Sequence, residues 1–231
     1  MKILALDTST SRGSVGLLSG NEIAAELRVS SLETHSARLL RSIEFLLQTA
    51  GWVLRDLHLI AACIGPGSFT GIRIGVSTAL GLAQTLRLPF APVSAFEALA
   101  SRYTFLQQNL GVVLDAQRAQ VYFAEYELSG AGLHCVRRPA LWDPLELAGR
   151  IRKRHLYLVG DGTEYVLESA RRAGSWPRVI ESDLFLAGDI GRVGLARKRT
   201  WRRGEFLSAE PMYIRPPDAV KAGKWKTLKS G

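Results

Sequence analysis

Two aspartates stand where chemistry would be done. Asp7 ends the apolar run at residues 3–7, and Asp115 ends the run at residues 112–115. A carboxylate at the end of a buried strand can direct a metal ion or a phosphate, or it can cap the tight turn that follows. A third feature is the stretch IGPGSFTGIRIGVSTALGLA at residues 64–83. Gly65 and Gly67 permit unusual backbone angles, Pro66 fixes one, and Ser68 or Thr70 can cap the helix beyond. Backbone amides at such a helix start can hold an anion. No Gly-Lys-Ser/Thr follows, so the turn is not a P-loop. His35, His58, His134 and His155 nowhere stand four apart, and Cys63 and Cys135 define neither a zinc site nor a disulfide framework. No Cys/His/Asp grouping and no G-x-S-x-G elbow occurs.

The elements that must carry these residues come in two rounds. In the first half an apolar strand ends in Asp7, turns, and returns at residues 14–18 as the second arm of a hairpin. In the second half a strand ends in Asp115, turns through residues 116–120 and returns at 121–126. Each hairpin is followed by a strand, a Gly-x-Gly turn and a helix, at residues 59–71 and again at 156–166. The order repeats although the residues do not, so the repeat is structural. Strands alternating with helices, some of them continuously apolar, predict an α/β fold with mixed sheets covered on their faces. Two such lobes side by side form the actin-like, Hsp70-like and sugar-kinase architecture, with lobes expected at residues 1–105 and 106–231. A single doubly wound domain is the alternative. In active ATPases of that architecture, Asp7 and Asp115 would be the metal- or phosphate-directed carboxylates.

Two helices of the first lobe are legible, over residues 34–50 and 70–86. In the first, Thr34 is the expected cap, and Leu39, Leu40, Ile43, Leu46, Leu47 and Ala50 recur at helical spacing before Gly51. In the second, Gly71, Gly75, Ala79 and Ala83 fall every fourth position and form a groove without side chains. A glycine inside a helix costs about 1 kcal/mol relative to alanine, which implies a packing need. Either the chain's own sheet or another subunit fills the groove. On the second reading His35, Leu39, Ile43, Leu46, Gly71, Arg73, Gly75 and Ala79 line an interface, and a bulky residue at Gly75 would block it.

The net charge of +9 is unevenly placed. Residues 1–100 hold eight Lys/Arg against seven Asp/Glu, whereas residues 101–231 hold twenty-two against fourteen. The excess gathers at residues 150–155, 197–203 and 221–229. Such a face attracts polyanions, nucleic acid first among them, or is only a solvated surface. No run of eighteen apolar residues occurs, so a cytoplasmic protein without a membrane span is expected.

Five stretches together resemble a known family: LALDTSTSRGSVGLL, HSARLLRSIEFLLQTAGW, IGPGSFTGIRIGVSTALGLA, LRLPFAPVSAFEALA and AEPMYIRPPDAV. They are similar to the TsaB (YeaZ) family across residues 1–100 and again at 209–220. The resemblance implies a non-catalytic relative of TsaD, the enzyme that attaches threonylcarbamoyl to the adenosine beside the anticodon in tRNAs reading codons that begin with A. It further implies a TsaD-type catalytic subunit as partner through N-lobe helices, a TsaE-type ATPase and tRNA in the same assembly, and a homodimer when alone. No cofactor of its own is implied. TsaD-type enzymes bind metal through His-x-x-x-His on the helix after the GPG segment and its following strand. The equivalent positions here are Ala95 and Leu99, which cannot ligate a metal. The alternative function is a weak ATPase or metal-dependent hydrolase of the same fold.

Overall fold

The structure is a computed structural model, and it describes all residues except 31–34, 107, 130–131, 153, 155, 198–209 and 216–231. The expected cap Thr34 lies outside the described residues, as do the side chain of His35 and most of the three basic runs.

The first half runs β1 (Lys2–Asp7), β2 (Arg12–Ser19), β3 (Glu22–Ser30), α1 (His35–Thr49), β4 (Leu59–Cys63), α2 (Phe69–Leu86), β5 (Phe90–Val93) and α3 (Ala95–Ser101). The second half repeats that order as β6 (Asn109–Asp115), β7 (Val121–Ser129), β8 (Gly132–Trp142), α4 (Pro144–Ile151), β9 (Leu156–Val159), α5 (Thr163–Arg172), β10 (Arg178–Ile180) and α6 (Ala187–Ala196). The sheets match as well. The first has the order β3-β2-β1-β4-β5, and the second has β8-β7-β6-β9-β10. β1 pairs antiparallel with β2 and parallel with β4, and β6 does the same with β7 and β9.

Alternation within β1 explains why its apolar run is unbroken. Ile3 and Ala5 face a core shared with the second sheet, whereas Leu4 and Leu6 face a second core under α1 and α2. A strand covered on both faces needs apolar residues at every position. The helical stripe on α1 meets that second core: Leu39, Ile43, Leu46 and Leu47 are buried with Ala79 and Ala83 of α2. α4 and α5 cover the far face of the second sheet through Leu147, Ile151, Val166 and Ala170.

α3 and α6 form a middle layer between the two sheets, and α6 crosses over to lie on the first. Its glycines explain how closely it lies. A Cβ on Gly191 would stand 2.5 Å from Leu18, and one on Gly188 would stand 2.7 Å from Ile23. Facing it, the Arg102 guanidinium at the end of α3 binds Asp189 of α6 at 2.6 Å, the Asp183 carboxylate at 3.1 Å and the Phe185 carbonyl at 2.6 Å. Burial lifts the Asp189 carboxyl above the ordinary range, although Arg102 pulls it back. Ala95 and Leu99, the positions without metal ligands, are buried in α3.

Candidate functional site

The Gly-rich turn lies between β4 and α2. Gly65 has φ +114° and is joined to Pro66 by a cis peptide bond. Ser68 caps α2, its Oγ accepting from the Gly71 amide at 3.2 Å. What occupies the start of this helix is the chain itself. The β1–β2 turn lies across it: the Ser68 amide donates to the Ser9 carbonyl at 2.6 Å, and Thr8 Oγ1 donates to the Gly71 carbonyl at 2.7 Å. A Cβ at Gly67 would stand 2.1 Å from the Ser9 carbonyl, one at Gly71 2.1 Å from the Thr8 carbonyl, and one at Gly75 2.2 Å from Thr8 Oγ1. The groove of small residues is therefore a seat for this turn.

Asp7 is buried and shapes the same turn. Its Oδ1 accepts from the Ser9 amide at 3.0 Å and from Ser9 Oγ at 2.7 Å. The cavity beside it, walled by Thr8, Ser11, Ser14, Arg38 and Ser42, holds about 30 Å³. That is room for a water or two, whereas small-molecule sites enclose roughly 300–1,000 Å³.

The second half repeats the arrangement. Asp115 Oδ1 accepts from the Gln117 amide at 2.6 Å, and the Asp115 amide donates to Asp161 Oδ1 at 2.9 Å. A Cβ at Gly160 would stand 2.2 Å from the Val113 carbonyl, the counterpart of the Gly67 contact. Burial raises the Asp161 carboxyl above the usual carboxylate range, although the hydrogen bond it accepts from the Asp115 amide opposes the rise. The β6–β7 turn is strained. Gln117, Arg118 and Ala119 have φ of 57°, 57° and 55°, the left-handed region that non-glycine residues avoid. Arg215 spans it, with Nη1 donating to the Ala116 carbonyl at 2.8 Å and Nη2 to Gln120 Oε1.

Arg215 belongs to a segment that joins the two turns. Over residues 210–215 the chain returns across the mouth between the sheets. The Met212 amide donates to the Ile64 carbonyl at 2.6 Å, and the Tyr213 ring packs on Phe69 at 4.8 Å. The Tyr213 hydroxyl accepts from Arg73 Nε at 3.1 Å, and the Arg73 guanidinium sits 3.8 Å over Phe69.

The residues expected from sequence thus separate into two groups. Asp7, Gly65, Gly67 and Ser68 converge on one turn, and Asp115 holds the equivalent turn of the second half. Within the expected interface set the residues differ in burial. Leu39, Ile43, Leu46 and Ala79 are buried in the chain's own core, and Gly71 and Gly75 are covered by Thr8. Of that set, Arg73 is exposed. The outer face of the α1–α2 layer carries other residues: Leu40 is 61% exposed and Phe45 is 57% exposed. On α2, Gly81 is exposed with nothing within 4 Å of where a Cβ would stand. Periodicity reveals the inward stripe, and the outward residues are then those it leaves over. Thr8, Tyr213 and Arg215 gave no local signal, because their partners lie 63 to 140 residues away. Among the described residues no three His, Cys, Asp or Glu side chains stand where they could hold a metal ion. No helix among them is long and apolar enough to cross a membrane.

Comparison with known proteins bears on the same residues. A family model described as "TsaD: tRNA N6-adenosine threonylcarbamoyltransferase" matches residues 29–166. The chain is 36% identical to the tRNA threonylcarbamoyladenosine biosynthesis protein TsaB of Bacillus subtilis, over 97% of this chain and 98% of that protein. It is 31% identical to TsaB of Escherichia coli, over 99% and 98%. The solved structure of YeaZ from Pseudomonas aeruginosa superposes with a TM-score of 0.75 at 30% identity, covering 92% of this chain and 99% of that one. An inorganic polyphosphate/ATP-glucomannokinase from an Arthrobacter species superposes at 0.52 with 8% identity, covering 84% of this chain and 98% of that one, a likeness of fold alone.

Proposed function

The chain belongs to the TsaB (YeaZ) family and so has a role in tRNA threonylcarbamoyladenosine biosynthesis, and from that premise we propose that it acts there as a non-catalytic scaffold. Its two five-stranded sheets keep the two-lobed shape of the nucleotide enzymes, with α6 lying on the first. The turn that would face a phosphate instead seats Thr8 and Ser9 on α2, and the helix that would present metal-binding histidines carries Ala95 and Leu99. The work left to such a chain is to pair with a TsaD-type catalytic subunit. A TsaE-type ATPase and tRNA join the assembly, and a second copy of the chain takes the same surface when the partner is absent.

The observation that carries this reading is Gly81. It sits mid-helix, exposed and uncrowded, where alanine would favour the helix by about 1 kcal/mol. Among the described residues nothing needs it to be glycine, whereas close approach by another helix would. Leu40 and Phe45 are exposed on α1, which packs against α2, and supply apolar area in the same layer. The expected outcome is that Gly81→Leu and Phe45→Glu each elute apart from the TsaD-type subunit while their melting temperatures stay near that of the unaltered chain. Co-elution of both variants at full stoichiometry would overturn the surface.

A further inference from the structure

One groove lies far from the turns and from the α1–α2 face. It has a volume of about 480 Å³ and lies at the edge of the second sheet, between the end of α4 and the segment leading into β10. Leu156 and Leu158 form its floor, and Arg152, Arg154, Trp176 and Arg178 form its walls. Among the described residues no acidic side chain lines it. Trp176 is 74% exposed, the largest side chain a protein can have, left in water. The Arg171 guanidinium lies 5.7 Å from its ring centre. The Arg178 guanidinium lies 5.6 Å from the Tyr157 ring, and its Nη1 is 3.4 Å from the Tyr157 hydroxyl. Arg154 is anchored by the buried carboxylate of Glu125 and so is held in place at the rim.

We propose that this groove binds RNA, stacking one unpaired base on Trp176 while Arg152 and Arg178 hold the flanking phosphates. An indole face offered to solvent is a stacking platform for any base, and guanidinium groups match phosphate oxygens through paired N–H donors. The volume falls in the range that takes a nucleotide-sized group. An apolar floor with a cationic wall fits a base joined to a phosphate better than it fits an acidic peptide, whose carboxylates would find Leu156 and Leu158 beneath them. The choice of RNA over other polyanions rests on the chain's place in tRNA modification.

The test uses the full-length chain and a fluorescein-labelled, unstructured 12-nucleotide RNA, titrated by anisotropy over a range of salt. Trp176→Ala is expected to weaken binding about tenfold, the loss of one stacked base. Arg152→Ala with Arg178→Ala is expected to lower the slope of log K against log salt by about 1.4, two phosphate contacts of a single strand. A control pair on the first half, Arg12→Ala with Arg55→Ala, should leave both quantities in place. Equal affinity of Trp176→Ala and the unaltered chain would overturn the site. So would an equal loss in the control pair, or displacement of the RNA by a polyglutamate of the same charge. The same variants are expected to co-elute with the TsaD-type subunit. Failure of the unaltered chain to do so would remove the scaffold reading and leave the RNA titration standing.

Discussion

Gly75 and Gly81 stand on one helix and ask opposite things of a methyl group. At Gly75 a Cβ would meet Thr8 Oγ1 at 2.2 Å, a contact real Cβ atoms do not make. Gly75→Ala is expected to destabilise by about 1–3 kcal/mol, despite alanine's better helix propensity. Gly81→Ala, in open space, should stabilise by roughly 0.5–1 kcal/mol. Urea unfolding of both, and of Gly75→Ala in a Thr8→Ala background, checks the contact. If Thr8 is the obstacle, the paired change restores part of the loss, whereas additive losses would place the strain elsewhere. At this scale the sequence shows that something must come close to residues 71–83. It does not show that the visitor is Thr8, because a contact across 63 residues leaves no periodic trace. The aspartates were more readable. Asp7 and Asp115 each precede a short polar stretch, and each accepts a hydrogen bond from the residue two places on, as the turn-capping reading requires.

Among the elements, the two hairpins and the two strand–Gly-x-Gly–helix units follow the order read from the sequence, because each is written locally in apolar runs and glycines. α6 was not legible. Its sequence AGDIGRVGLA has three glycines and a modest apolar stripe, poor credentials for a helix until the close approach to Leu18 and Ile23 supplies the reason. The β6–β7 turn makes its own prediction. Three consecutive left-handed residues are unfavourable by about 1–2 kcal/mol each, so other contacts must hold the turn. Arg215→Ala removes the side chain that grips both its ends. The expected result is a loss of about 1–3 kcal/mol by urea unfolding, with faster amide exchange confined to residues 116–120. Unchanged exchange there would show that the turn holds itself.

For the whole molecule, two five-stranded sheets are joined through α3 and α6, and the ion pairs at Arg102 sit at that join. Arg102→Met leaves Asp189, 9% exposed at its side chain, with Arg192 as its ion-pair partner among the described residues. The expected cost at pH 7 is about 3–5 kcal/mol, as for a buried charge deprived of its partner. Burial already raises the Asp189 carboxyl, so in the variant its folded value rises further above the unfolded one. The sign follows: a group whose folded value is raised is stabilising below the unfolded value and loses that contribution as pH climbs through the folded one. The gap between variant and unaltered chain should therefore shrink toward pH 4, and chemical denaturation at pH 4 and 7 measures it. A gap independent of pH would mean that Asp189 does not titrate. Charge is the part of the whole that sequence read most coarsely. The excess of lysine and arginine in the second half is plain from counting, but the groove around Trp176 is assembled from residues 151, 152, 154, 156 and 158 and from 174–178, which no motif links.

The crossing of α6 has a further consequence, set by the order in which a ribosome makes the chain. The first sheet is complete once β5 has been synthesised, yet Ile3, Ala5, Leu18 and Ala61 on its inner face share their core with Ala187 and Ile190. Until residue 196 emerges, that face stays wet. A chain cut short before α6 is therefore expected to leave an apolar face of its first sheet exposed.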